Sequence, residues 1–174
     1  PPFFFKQILS CFVPFFCFVS TGNGGDGCAI AQLSQDALDL FFHIEGNIAG
    51  LDATATVPMH NGGSGFRITG RFGYFGNNTS AGNRIHGVDV FLQSANNVFE
   101  NNLIGITADG RSVPNSASAL SIESAQDKFA NNIIWGVVSI SSGRSVTLRE
   151  NIVHGNIEIG NLALNVNLLG MFFF

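Results

Sequence analysis

NLIGITADGRSVPNSASALSI, from Asn102 to Ile122, and NIAGLDATATVPMHNGGSGFRI, from Asn47 to Ile68, are two versions of one phrase. Each opens on Asn-x-x-Gly, passes through an Ala-containing turn, leaves by Val-Pro and ends in a short alternating stretch. A phrase repeated within one chain marks an architecture built by repetition, in which each unit buries its apolar face only by stacking on the next.

Working outward, further openings are NRIHG at Asn83, NIIWG at Asn132 and NIVHG at Asn151. The steps from Asn83 to Asn102, to Asn132 and to Asn151 are 19, 30 and 19 residues. The spacing predicts a turn of about 20 residues, with TADGRSVPN as a loop bulging from one corner in the longer step. Three residues before each Asn stand Ile44, Phe99, Phe129 and Leu148, with Ser80 as an exception before Asn83. Two residues after it stand Ala49, Ile85, Ile104, Ile134 and Val153. Apolar columns with one member per turn are what a stacked core requires, so Ile85, Ile104, Ile134 and Val153 are expected to face inward together.

Short alternating stretches complete each unit: CAIAQLS from Cys28, GFRITG from Gly65, VDVFLQ from Val88, ALSIES from Ala119, VVSIS from Val137 and NIEIG from Asn156. Alternation at period two reads as strand with one side inward. Only Ala29 to Phe41 also has helical spacing, and strand is expected there because it stands in the same relation to Asn47 as the other strands to their Asn. Several short strands in a coil of about 20 residues is the geometry of an all-β, right-handed parallel β-helix, here of about six coils over residues 27–168. Asn tolerates the left-handed backbone of a sharp corner and its amide can bond one coil away. Asn83, Asn102, Asn132 and Asn151 are therefore expected to stack, with Asn47, as one internal ladder.

NLIGITADGRSVPN, and more loosely NIAGLDATATVPMHN, resemble the N-x-I-G-x-x-A-x-G-x-x-x-x-x-N loop of bacterial β-helix repeat proteins in the pectate-lyase-like superfamily. The resemblance implies the fold over roughly residues 27–160 and leaves the activity open, because many chemistries and many non-catalytic roles share the scaffold.

Composition narrows the remaining possibilities. Charged residues are 11% of the chain, Gly is 21 of 174 and Phe 18, which suits short strands and tight turns rather than disorder. A net charge of −4 with eight scattered Lys and Arg carries no nucleic-acid footprint. The opening PPFFFKQILSCFVPFFCFVSTGNGG has one Lys, an apolar run from Ile8 to Val19, and small residues Ser20, Thr21 and Gly22. Residues 1–22 are thus expected to be a signal-like leader or an artefactual extension lying outside the β-helix; the run is too short and Pro-interrupted for a membrane span. Cys11 and Cys17 fall in that stretch, which leaves Cys28 alone and reads as a small buried residue. The apolar ending NLALNVNLLGMFFF is read as an uncapped coil of a longer solenoid.

Enzymes of the superfamily carry acidic residues with an Arg or Lys along one outward sheet face, and the residues here that could serve are Asp89, Glu123 and Glu158 with Arg67. An adjacent Asp pair, a Gly-His-Gly and an Arg-x-Pro-x-x-Arg are all missing from the chain. Asp52 and Asp109 stand singly in their turns, and no metal or other cofactor is expected. A different outward column, three residues after each Asn, holds His86, Gly105, Trp135 and His154. An indole beside imidazoles offers an apolar stacking face for sugar rings, so His86, Trp135 and His154 are the expected ligand-binding residues. The resulting expectation is a secreted or cell-surface module without catalysis of its own, binding a polysaccharide or a partner protein. The rivals are a truncated polysaccharide lyase or glycoside hydrolase, and a structural stalk.

Overall fold

The computed structural model describes residues 13–16, 18–30 and 42–174, and they form a right-handed parallel β-helix. The first sheet stacks Val13–Phe16, Phe42–Glu45, Tyr74–Gly76, Val98–Glu100, Lys128–Ala130, Thr147–Arg149 and Asn167–Leu169. The second stacks Val19–Ser20, Ile48–Ala49, Thr79–Ser80, Leu103–Ile104, Ile133–Trp135, Ile152–His154 and Phe172–Phe173. The third holds Cys28–Ile30, Phe66–Ile68, Val88–Val90, Leu120–Ile122, Val138–Ile140 and Ile157–Ile159. Every pairing between these strands is parallel and joins one coil to the next.

The inward positions of the three sheets meet in one continuous core. Ile44, Phe75, Phe99, Phe129 and Leu148 pair in register on the first sheet and are all buried. The rings of Phe75, Phe99 and Phe129 form a file, with Phe99 and Phe129 stacked at 4.5 Å, and Phe66 of the third sheet meets Phe75 edge-on at 4.9 Å. Ala49, Ser80, Ile104, Ile134 and Val153 line the second sheet. Ile85 does not join them: it is 42% exposed, and the inward place on its coil is taken by Ser80.

The same shift appears in the Asn ladder. Its rungs are Asn47, Asn78, Asn102, Asn132 and Asn151, each Nδ2 donating to the Oδ1 of the next at 2.9–3.2 Å. The coils between rungs are 31, 24, 30 and 19 residues long. Asn83 stands at a different corner, in a second ladder with Asn61 and Asn115 at 2.9 Å on either side. This second corner exists because the earlier coils make an extra bend between the second and third sheets, whereas the chain runs from Trp135 through Gly136 and Val137 directly into Val138–Ile140. The bend leaves little room: a Cβ on Gly65 would lie 2.1 Å from Ser80 Oγ and 2.6 Å from Asn83 Nδ2.

Two coils carry loops at that bend. Leu51 bridges Pro58 and Ile106 bridges Ser112, both antiparallel. The loops are tied together by Ala108 N–H to the Ala55 carbonyl at 3.0 Å and Arg111 Nη2 to the Thr56 carbonyl at 2.8 Å. Leu51, Ala55 and Ala81 form a small satellite core beneath them, with Ile48 and Val113 packed against it.

The stack also extends further toward the N-terminus than a boundary at residue 22 implies. Val13–Phe16 pairs with Phe42–Glu45 and Val19–Ser20 with Ile48–Ala49, so these residues continue the first two sheets. Residues 1–12, Cys17 and 31–41 lie outside the described residues, and with them Cys11 and most of the Ala29 to Phe41 stretch.

Candidate functional site

Trp135 and His154 end adjacent strands of the second sheet and are partners in register. Because Ile134 and Val153 beside them point into the core, period-two alternation turns both rings outward. Their ring centroids are 4.1 Å apart at an interplanar angle of 14°. Phe174 follows His154 at 5.1 Å and 23°, which makes a file of three stacked rings along the β-helix axis. Trp135 and His154 are each partly exposed, and Phe174 is 78% exposed. Coils about 4.8 Å apart put outward side chains at nearly the spacing of aromatic stacking, so the scaffold itself orders the rings.

His86 is not part of this file. Since Asn83 belongs to the second corner, the residue three places after it comes just before the third sheet, where His86 Nδ1 hydrogen-bonds with Ser118 Oγ at 2.6 Å. The sequence pattern therefore brings Trp135 and His154 together correctly and adds His86 through the misplaced Asn83. Phe174 was missed because no Asn opens a coil before it; Met171 stands beside Asn151 in that position.

The acidic residues of the third sheet do not converge. In one outward column Arg67 pairs with Asp89, then Ser121, Ser139 and Glu158 follow on successive coils. Asp89 and Glu158 are thus three coils apart, about 14 Å at the usual strand spacing. Arg67 lies 3.7 Å from Asp89 and 3.9 Å from Asp26, with its guanidinium 4.6 Å above the Phe91 ring. Glu123 accepts a bond from Ser141 Oγ at 3.3 Å. No two of the three carboxylates share a partner, and Asp89 is buried against Arg67.

Asp52 and Asp109 are occupied by their own turns. Asp52 Oδ1 accepts the Thr56 and Val57 N–H groups at 3.0 Å, and these bonds, Val57 first, hold its carboxyl below the usual range. Asp109 accepts from Thr107 Oγ1 at 2.5 Å and Arg111 Nε at 2.8 Å, and the Thr107 bond is the larger cause of its lowered pKa. Burial, reinforced by the charge of Asp26, pushes the Cys28 thiol up to about 12, so it stays protonated and unreactive. Among the described residues no three His, Cys, Asp or Glu side chains are grouped to hold a metal ion, and no helix is long and apolar enough to cross a membrane.

Comparison with protein-family models, with curated proteins and with solved structures finds no match for this chain.

Proposed function

We propose that this chain is a secreted or cell-surface β-helix module, built on the pectate-lyase-like pattern, that binds a polysaccharide through Trp135 and His154 without catalysis of its own. The observation that carries this reading is the outward ring file on the second sheet. The stacked rings turn their edges outward, and the Trp135 face away from His154 lies on the side of Gly105, which has no side chain, so one apolar indole face with a polar edge is left for the C–H face of a sugar ring. The separated positions of Asp89, Glu123 and Glu158 support a non-catalytic role over hydrolysis, which needs two carboxyl groups flanking one bond.

The test is oligosaccharide binding by the wild-type protein and by Trp135→Ala, using a glycan array followed by calorimetry on the best ligand. Removing the indole is expected to weaken binding about three- to tenfold or more, with unfolding unchanged because Ile134 and the core column remain. A wild-type protein that binds no glycan, or a variant that binds as tightly as wild type, overturns the reading.

A further inference from the structure

From Asn78 onward each Asn of the first ladder uses both ends of its amide. Oδ1 accepts from the Asn one coil earlier, and Nδ2 also donates to the carbonyl three residues before that earlier Asn. Thus Asn102 donates to Phe75, Asn132 to Phe99 and Asn151 to Phe129, at 2.9–3.1 Å. The corner between the third and first sheets follows the same rule for one coil: Asn97 Oδ1 accepts the Gly73 N–H, and Asn97 Nδ2 donates to the Gly70 carbonyl at 3.0 Å. On the next coil the position is Asp127, fully buried. Its Oδ1 accepts from Asn97 N and Nδ2 at 2.7 and 3.2 Å, as an Asn would. By analogy with Asn78, Asn97, Asn102, Asn132 and Asn151, its Oδ2 takes the place of the Nδ2 that would donate to the Ser94 carbonyl. As an anion Asp127 has none to give; its buried Oδ2 makes no well-formed hydrogen bond, and the neighbouring Ser124 hydroxyl, itself without one, is the only side-chain hydroxyl that acts on the carboxylate.

We propose that Asp127 is a proton-binding site: taking up a proton on Oδ2 lets it donate to the Ser94 carbonyl, completes the ladder and tightens the β-helix in acid. Burial is the main cause that raises its pKa from 3.8 to about 6, and the Ser124 hydroxyl and the Asn97 N–H groups offset only part of it. The groups facing Asp127 are Asn97 from the preceding coil and Ser124 from its own turn; Val146 occupies the equivalent place on the following coil. The charged residues of these turns, Arg71, Lys128 and Arg144, are exposed, and no charge contributes to the shift. For an acid whose folded pKa is raised, the folded chain holds the proton more tightly than the unfolded chain. Stability is therefore gained as pH falls through about 6 and is fully gained near 4.

The experiment combines a carboxyl-carbon NMR titration of Asp127 in the wild-type protein with denaturant unfolding of wild type and Asp127→Asn at pH 7 and pH 5. The Asp127 carboxyl should titrate near 6, and the wild-type folding constant should rise on acidification, by up to about a hundredfold over the whole transition. Asp127→Asn should be more stable than wild type at pH 7 and lose that pH dependence. A carboxyl titrating at an ordinary value overturns the proposal even if the variant does not fold. A pH dependence that persists unchanged in Asp127→Asn overturns it too.

Discussion

At the scale of the residue, this fold is a set of corners, and Asn serves them in two distinct ways. Asn77, Asn101 and Asn131 hold the left-handed backbone, at φ of 54–56°, while the next residues, Asn78, Asn102 and Asn132, turn inward as ladder rungs. Asn is among the few residues that take up the first role cheaply, and its paired donor and acceptor suit the second. In a dry interior the rungs Asn78, Asn102, Asn132 and Asn151 each satisfy a backbone N–H and a backbone carbonyl on the preceding coil. Asn102→Ala strips a donor from the Phe75 carbonyl and an acceptor from the Asn78 N–H. It is expected to lower stability by about 2–4 kcal/mol, read as a shift in denaturant midpoint at unchanged slope. The doubled Asn77-Asn78 pair was legible in the sequence as the rung of its coil, because Phe75 then falls three places before Asn78. Anchoring on Asn83 instead put Ser80 in that column, and the mismatch was the signal of a wrong register.

At the scale of the element, the strands are short and register carries their meaning. A shift from Asn78 to Asn83 exchanges Ser80 for Ile85 as the inward residue, so the two choices make opposite claims about Ile85. Ile104 is 3% exposed and Ile85 is 42% exposed. Ile104→Ala should therefore destabilise by about 2–5 kcal/mol, and Ile85→Ala by well under about 1 kcal/mol. Comparable losses at both sites, measured by the same unfolding titration, would contradict the register. The aromatic file follows the same logic from the outer side. Trp135 and His154 meet because both stand three places after a rung of the same ladder, on strands that pair in register.

At the scale of the whole molecule, stability is the sum of coil-on-coil contacts, and its charges respond to pH in opposite directions. Glu45, held by His43 at 2.9 Å and Asn77 at 2.8 Å, has its carboxyl lowered, as do Asp52 and Asp109. Such groups contribute stability above their ordinary range and lose it as pH falls through their folded values, whereas Asp127 contributes only once protonated. Thermal unfolding followed by circular dichroism should accordingly find the highest midpoint at about pH 4–5, falling toward both pH 7 and pH 2; a midpoint that peaks at pH 7 or above would contradict this balance. What the sequence by itself determined is the architecture: repeated Asn-x-x-Gly openings, period-two stretches and apolar columns permit only a stacked parallel solenoid, because each pattern is local and recurs. It also determined that Trp135 and His154 share a face, since both stand three places after rungs of one ladder. Which Asn belongs to which corner, the separation of His86 from that face, and the half-satisfied carboxyl of Asp127 were decided only by the tertiary structure. Coils of unequal length can be superposed in sequence in more than one way, and only the packing of side chains between coils selects among them.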